Sequence, residues 1–389
     1  MFAMIPRTIH QTFSTALLKR SISTARSQFS LPAAYYRGGT SRAVFFTQHD
    51  LPKDRSHWAP IFRGVIGSPD PYGRQLDGLG GGISSLSKVC VVGPSTHADA
   101  DVDYTFAALG VKDSDVDYSS NCGNMVSAVG PYAVDTGLFS VKPSVESVVV
   151  RIHNTNTGKI IHATFPVVDG EAAARGDLVI DGVAGFAAPV QLDFMDPAGS
   201  RTGKLLPTDV AKDVFDDVEA TCIDVANPCV FVKAEDIGIS GSLTPDEITS
   251  TPGLLDRLDS IRRQAGAKMG LASTPDAVPG SVPKIGIVSS PVGENEGKVD
   301  LVVRALSVGQ PHKAVPITVA LALAAAARIP GSTVAEVTSA KPVDPAGITI
   351  GHASGSVLVG ATFGGNGRLE YATVFRTARR LFEGRIFWK

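Results

Sequence analysis

The sequence predicts an α+β protein built from two similar halves, each a curled and mostly antiparallel sheet around a central helix, with an active site in the cleft between them. Three observations support this. Short strand-like runs bounded by Gly, Pro, Asn and Asp recur from residue 31 to the end of the 389-residue chain. Each half contains one helix-like run that is apolar on every side, as a helix buried inside a sheet must be. The order of elements in the first half repeats in the second, without strong identity of residues.

In chain order, 31–36 and 43–46 read as a hairpin around Arg37-Gly38-Gly39-Thr40-Ser41-Arg42. A short helix is predicted over 58–66. The glycine-rich loop 77–88 then delivers Lys88 to the strand Val89–Val92. Further strands are predicted at 101–106, 148–152 and 162–167, with a buried helix between them that starts at Asn121-Cys122-Gly123-Asn124 and ends at Gly137. Residues 192–207 read as a loop joining the halves, with a boundary near 210. The second half offers strands at 218–223, 229–232, 284–288 and 300–305 and a helix at 254–269. A second buried helix begins in Gln310-Pro311-His312-Lys313-Ala314-Val315-Pro316-Ile317 and runs through Ala327. Strands at 348–352, 356–361 and 369–375 close the chain. The division is therefore 33–210 and 211–389.

Residues 1–32 stand apart. No acidic residue precedes Asp50, while Arg7, Lys19, Arg20 and Arg26 punctuate a Ser/Thr-rich stretch. This is the composition of a mitochondrial transit peptide, and a disordered extension of a cytoplasmic enzyme fits it as well.

Composition excludes several classes. A net charge of −2 with no basic patch gives no electrostatic case for nucleic acid. The longest apolar run, 314–327, is broken by Pro316 and is shorter than the roughly 20 residues of a membrane span. The four cysteines lack CxxC spacing and the eight histidines lack HxH or HxxxH pairs, so neither a disulfide framework nor a metal site is expected. Gly78-Leu79-Gly80-Gly81-Gly82-Ile83 fails the dinucleotide fingerprint: Ile83 replaces its third glycine and the loop runs into a strand. It can still surround a carboxylate with backbone amides.

Two side chains carry the chemical reading. Cys122 at a helix start meets unsatisfied amide hydrogens and the positive end of the dipole, a setting that holds carboxylates and favours a thiolate. Lys88, between a polar loop and an apolar strand, stands at the rim of a site where lost hydration favours a neutral amine able to act as a base. The Gly-Gly-Thr-Ser turn flanked by Arg37 and Arg42 suits a carboxylate.

Together these motifs resemble the 2-methylaconitate cis-trans isomerase (PrpF) family. The resemblance rests on Tyr36–Arg42, Gly80-Gly81-Gly82 with Ser87-Lys88-Val89, and Asn121-Cys122-Gly123-Asn124. It extends to Thr202-Gly203-Lys204-Leu205-Leu206-Pro207, Lys268-Met269-Gly270 and Gln310-Pro311-His312-Lys313-Ala314. It spans about residue 33 to the C-terminus and implies the diaminopimelate epimerase-like fold. It also implies Lys88 and Cys122 as the acid–base pair, with the carboxylates of a di- or tricarboxylate held by the turn and the helix starts. The residues expected around the substrate are Gly39, Thr40, Ser41, Arg42, Gly81, Gly82, Ser84, Ser85, Gly123, Asn124, Lys204, Met269, His312 and Lys313. Lys204, Lys313 and Arg42 are the candidates for charge pairing.

Related epimerases invert a carbon with two opposed thiols. Here His312 and Lys313 stand where the second thiol would be, which disfavours stereoinversion and leaves allylic proton transfer through a dienolate. The expectation is a cofactor-independent isomerase of aconitate-like acids, with 2-methylaconitate leading. Aconitate isomerase, methylitaconate isomerase and oxalomesaconate tautomerase are the alternatives, and a noncatalytic accessory protein of a dehydratase is a reading of another class. The expected partner is a small polycarboxylate, and the assembly allowed is a homodimer.

Overall fold

The structure, a computed structural model, describes residues 29–118, 121–307 and 309–389. The transit-peptide reading falls on residues outside this range, apart from its last few positions. In the first half the long strands are β1 (Phe29–Gly38), β2 (Ser41–Thr47), β3 (Lys88–Pro94), β4 (Val102–Leu109), β5 (Ser147–Asn154), β6 (Lys159–Val168) and β7 (Pro189–Met195). In the second they are β8 (Val218–Asp224), β9 (Pro228–Lys233), β10 (Lys284–Ser289), β11 (Leu301–Ser307), β12 (Ile348–His352), β13 (Gly355–Phe363) and β14 (Leu369–Trp388). The longer helices are α1 (Trp58–Ile66), α2 (Gly123–Asp135), α3 (Leu254–Lys268) and α4 (Ile317–Ala326).

Strand pairing repeats between the halves. From β1 to β7 successive pairs run antiparallel, parallel, antiparallel, parallel, antiparallel and antiparallel. The order from β8 to β14 is the same. Parallel strands need a crossover, and the equivalent connections use helices: α1 lies between β2 and β3, and α3 lies between β9 and β10. α1 packs Trp58, Phe62 and Val65 on the outer faces of β2 and β3. α3 packs Leu258, Ile261 and Ala265 on Cys222, Val230 and Ile285.

The inner faces surround α2 and α4. Every residue of α2 from Met125 to Val134 is buried, and so is every residue of α4 except Thr318. Both helices belong to one large apolar cluster that also takes in residues from β1 to β14. Such helices are stabilised by burial all round, not by an amphipathic face. Gly130 is required by this packing, since a Cβ there would lie 2.6 Å from the Phe165 ring.

The structure departs from the sequence reading at three places. β7 covers 189–195, so the loop joining the halves begins after Met195. β14 continues to Trp388, well past the predicted end at Phe375. Its first part pairs with β13 and β7, and its second part pairs with β1, so the C-terminal strand crosses the division near 210. Lastly, the second buried helix starts at Ile317 with Pro316 as its N-cap, while Gln310 and Pro311 form a short strand against β11. Pro316 has no amide hydrogen to give and holds Val315 away from the helical region, so His312 and Lys313 lie outside the helix.

Candidate active site

The hairpin β1–β2 and the start of α2 are in direct contact. A Cβ on Gly38 would lie 2.6 Å from the carbonyl oxygen of Asn124, and Gly39 has φ +52° and lies beside the Asn124 side chain. Only glycine allows both the approach and the backbone angle. Asn124 Nδ2 donates to Thr40 Oγ1 at 3.1 Å, tying the turn to the helix.

Cys122 is the N-cap of α2. Lys88, the first residue of β3, points inward and donates to Cys122 Sγ at 3.2 Å and to Ser41 Oγ at 3.2 Å. The Phe106 ring lies 5.8 Å from its Nζ. Cys122 is the half-exposed thiol, whereas Cys90, Cys222 and Cys229 are buried. Burial pushes Cys229 up to about 12 and Cys90 and Cys222 up as well, which leaves them inert as acid–base groups.

A cavity of about 660 Å³ opens beside this pair, lined among others by Thr40, Ser41, Ser84, Ser85, Lys88, Asn124 and His312. A second cavity of about 650 Å³ is lined by Cys122 itself, with Asn121 and Gly123. Asn124, Pro316 and Ile317 line both. The starts of α2 and α4 abut here: a Cβ on Gly123 would lie 2.8 Å from Ile317 Cδ1.

Several expected residues are placed elsewhere. Arg42 follows inward-facing Ser41 on β2, so it faces the opposite side of the sheet, with its guanidinium 5.7 Å from the Tyr35 ring. Lys204 is exposed and pairs with Asp209 at 2.8 Å. Lys313 is exposed and outside both cavity walls. Met269 is buried at the end of α3 in the outer cluster of the second half. Gly81 and Gly82 shape the loop: a Cβ on Gly81 would run into Leu86, and the Gly82 amide donates to Gln75 Oε1 at 2.8 Å. None of these supplies a charge beside Lys88. Arg37 is also structural, since its Nη1 donates to the carbonyls of Gly39 and Thr377 at 3.0 and 2.9 Å.

The cation that does line the cavity is Arg376 on β14, which the sequence reading missed. Its Nε donates to Asn124 Oδ1 at 3.3 Å and its Nη1 to the Phe375 carbonyl at 2.9 Å. Burial lowers it to about 10, so it remains a cation at neutral pH with little competing hydration. The available signal was one arginine following the apolar run Ala372-Thr373-Val374-Phe375. His312 is lowered by lost hydration and then by the charge of Lys284, which keeps it neutral near pH 7.

The PrpF protein family model matches residues 28–389. The chain belongs to the PrpF family. The chain is 40% identical to 3-methylitaconate isomerase of Eubacterium barkeri, over 92% of this chain and 97% of that one. It is 39% identical to 2-methyl-aconitate isomerase of Cupriavidus necator and 38% to 4-oxalomesaconate tautomerase of Pseudomonas putida, each over 92% of this chain and 96% of the relative. A crystal structure of methylitaconate-delta-isomerase superposes with a TM-score of 0.85 at 40% identity, covering 93% of this chain and 96% of that one. These relatives are bacterial and lend no support to a mitochondrial location. Among the described residues no helix is long and apolar enough to cross a membrane.

Proposed function

We propose that this PrpF-family isomerase interconverts aconitate-like unsaturated polycarboxylates by moving an allylic proton, with 2-methylaconitate as the leading substrate. Lys88 and Cys122 are the acid–base pair, and the site lies where the two halves, acting as domains, meet at the starts of α2 and α4. The observation that carries this reading is the 3.2 Å contact between Lys88 Nζ and Cys122 Sγ at a helix start, beside a cavity that also holds Arg376. The names of the relatives support the substrate class. Their identities of 38 to 40% do not separate methylaconitate from methylitaconate or oxalomesaconate.

In this mechanism the neutral Lys88 amine takes a proton from the carbon beside the double bond. The C–H electron pair spreads through the conjugated system as a dienolate, and its charge develops on a carboxylate. Arg376, the Asn124 amide group and the hydroxyls of Thr40 and Ser41 are fixed donors around that charge, and preorganised donors act most strongly on charge that develops during reaction. Bond rotation or charge relocation follows. The proton then returns from the Lys88 ammonium or from the Cys122 thiol, to the same carbon or to the allylic one. A single residue pair can perform both transfers because the contact lets a proton pass between Nζ and Sγ.

Proton NMR of the purified protein with 2-methylaconitate, cis-aconitate and oxalomesaconate in deuterium oxide tests the proposal. It expects deuterium at the allylic carbon and isomer formation with at least one acid. Absence of both with all three acids would rule it out.

A further inference from the structure

The repeated strand order places Lys284 where Lys88 stands. Lys88 is the first residue of β3, the third long strand of its half, and Lys284 is the first residue of β10, the third of the other. The local sequences then align, Ser87-Lys88-Val89-Cys90-Val91-Val92 with Pro283-Lys284-Ile285-Gly286-Ile287-Val288. The facing also agrees. Val89 and Val91 pack outward against α1, as Ile285 and Ile287 pack outward against α3, while Cys90 and Val92 face the central core as Val288 does. Alternation along a strand therefore turns both lysines inward. Each reaches the start of its own central helix: Lys88 donates to Cys122, and Lys284 Nζ donates to Thr318 Oγ1 at 3.4 Å.

The partners differ in chemistry. A thiol can exchange a proton near neutrality, whereas an aliphatic hydroxyl stays protonated. Lys284 is thus left with the role of a cation. It lines the 650 Å³ cavity that Cys122 also lines, together with Arg201, Asn121, Asn156 and Asn227. Among the described residues no carboxylate lines that cavity, whereas Asp181 and Asp344 line the cavity holding Lys88. Three cations line the cavity: Lys159 is committed to the Asp196 carbonyl at 3.0 Å, which leaves Arg201 and Lys284 to draw an anion.

We propose that Lys284, with Thr318 and Arg201, holds a substrate carboxylate on the Cys122 side of the site. The substrate then lies across the abutting starts of α2 and α4, with Lys88 and Arg376 at one end and Lys284 at the other. This rests on the aconitate-like reading for the identity of the anion, but not for the existence of the anion subsite.

The test compares Lys284→Met and Lys284→Arg with the full-length wild type. Calorimetric binding of tricarballylate, a saturated tricarboxylate that cannot isomerise, is measured beside KM and kcat for 2-methylaconitate. Lys284→Met is expected to weaken tricarballylate binding by about 10-fold or more, and to raise KM by a larger factor than it lowers kcat, as loss of a charge-assisted hydrogen bond does. Lys284→Arg is expected to recover most of the binding. Unchanged binding in Lys284→Met, no binding to the wild type, or a fall in kcat at constant KM would each overturn the proposal. Circular dichroism and melting temperature confirm that the variants fold. If the wild type binds tricarballylate through Lys284 but turns over no aconitate-like acid, the anion subsite stands and the proposed reaction fails.

Discussion

Nζ of Lys88 lies 3.2 Å from Sγ of Cys122, although the two residues are 34 positions apart and belong to different kinds of element. One opens a strand and the other caps a helix. Their meeting depends on β3 lying beside the start of α2 within one sheet.

Removing either partner separates their roles. Lys88→Ala is expected to lower kcat by about 10²–10⁴-fold, the usual worth of a positioned base. Cys122→Ser keeps a hydrogen bond to Lys88 but lacks a readily exchanged proton, and should lower kcat by less. The double variant should be little worse than Lys88→Ala, because residues that act as a unit are not additive. Steady-state kinetics measures this, and full activity in Lys88→Ala would sink the mechanism.

Arg376 is expected to act on binding. Arg376→Gln should raise KM for a polycarboxylate by about 10-fold, within the range for a hydrogen bond to a charged group. Burial disfavours the guanidinium cation and lowers its pKa to about 10, so the charge is present below that pH and lost as pH rises through it. KM of the wild type should therefore climb as pH approaches 10. A KM independent of pH in that range argues against Arg376 as the carboxylate holder.

Lys204 gives the contrasting case. It is exposed and paired with Asp209, and exposed pairs contribute little. Lys204→Ala should change kcat/KM by less than about 2-fold, within the weak range of surface charges. A large loss would restore Lys204 to the site.

Gly123 and Ile317 offer a steric test. Gly123→Ala places a Cβ against Ile317 Cδ1 and should push the two helix starts apart, lowering kcat/KM by about 10-fold or more, as small misplacements of catalytic groups do. Ile317→Val removes that atom, so the double variant should regain activity. No rescue would show that the loss arises elsewhere.

Acid stability should depend on Asp103. Its burial raises its pKa, but hydrogen bonds from His153, Ser95 and Thr96 outweigh that and hold it below the ordinary value. A depressed carboxyl contributes stability above its unfolded value of about 3.9, and that contribution disappears as pH falls through the lower folded value. Asp103→Asn should lower the urea midpoint at pH 7, and the gap should narrow below about pH 4. A gap that stays constant with pH would point to packing instead.

Much of the fold was legible in the sequence because it follows from local chemistry. The helix starts, the glycine loop before Lys88, the apolar helices and the short alternating strands are all set by residues close together in the chain. The differences have two causes. The apolar pattern of β14 ends at Phe375, where Arg376, Arg379 and Arg380 follow, yet the strand continues to Trp388 because β1 supplies its hydrogen bonds. The second buried helix starts later than its apolar run, at Ile317, because Pro316 caps it and keeps the preceding residues out of helical geometry.

The sequence by itself determined where the reactive side chains sit locally: a thiol at a helix start and a lysine at a strand start, in an order matching one family. Only the tertiary structure decided which cations stand beside them. A strand's pattern says whether Arg42 or Arg376 alternates inward or outward, but which neighbour lies on that face is set by pairings hundreds of residues apart. Arg376 meets Asn124 across 252 positions, and Lys284 takes the place equivalent to that of Lys88 only because the two halves repeat the same strand order.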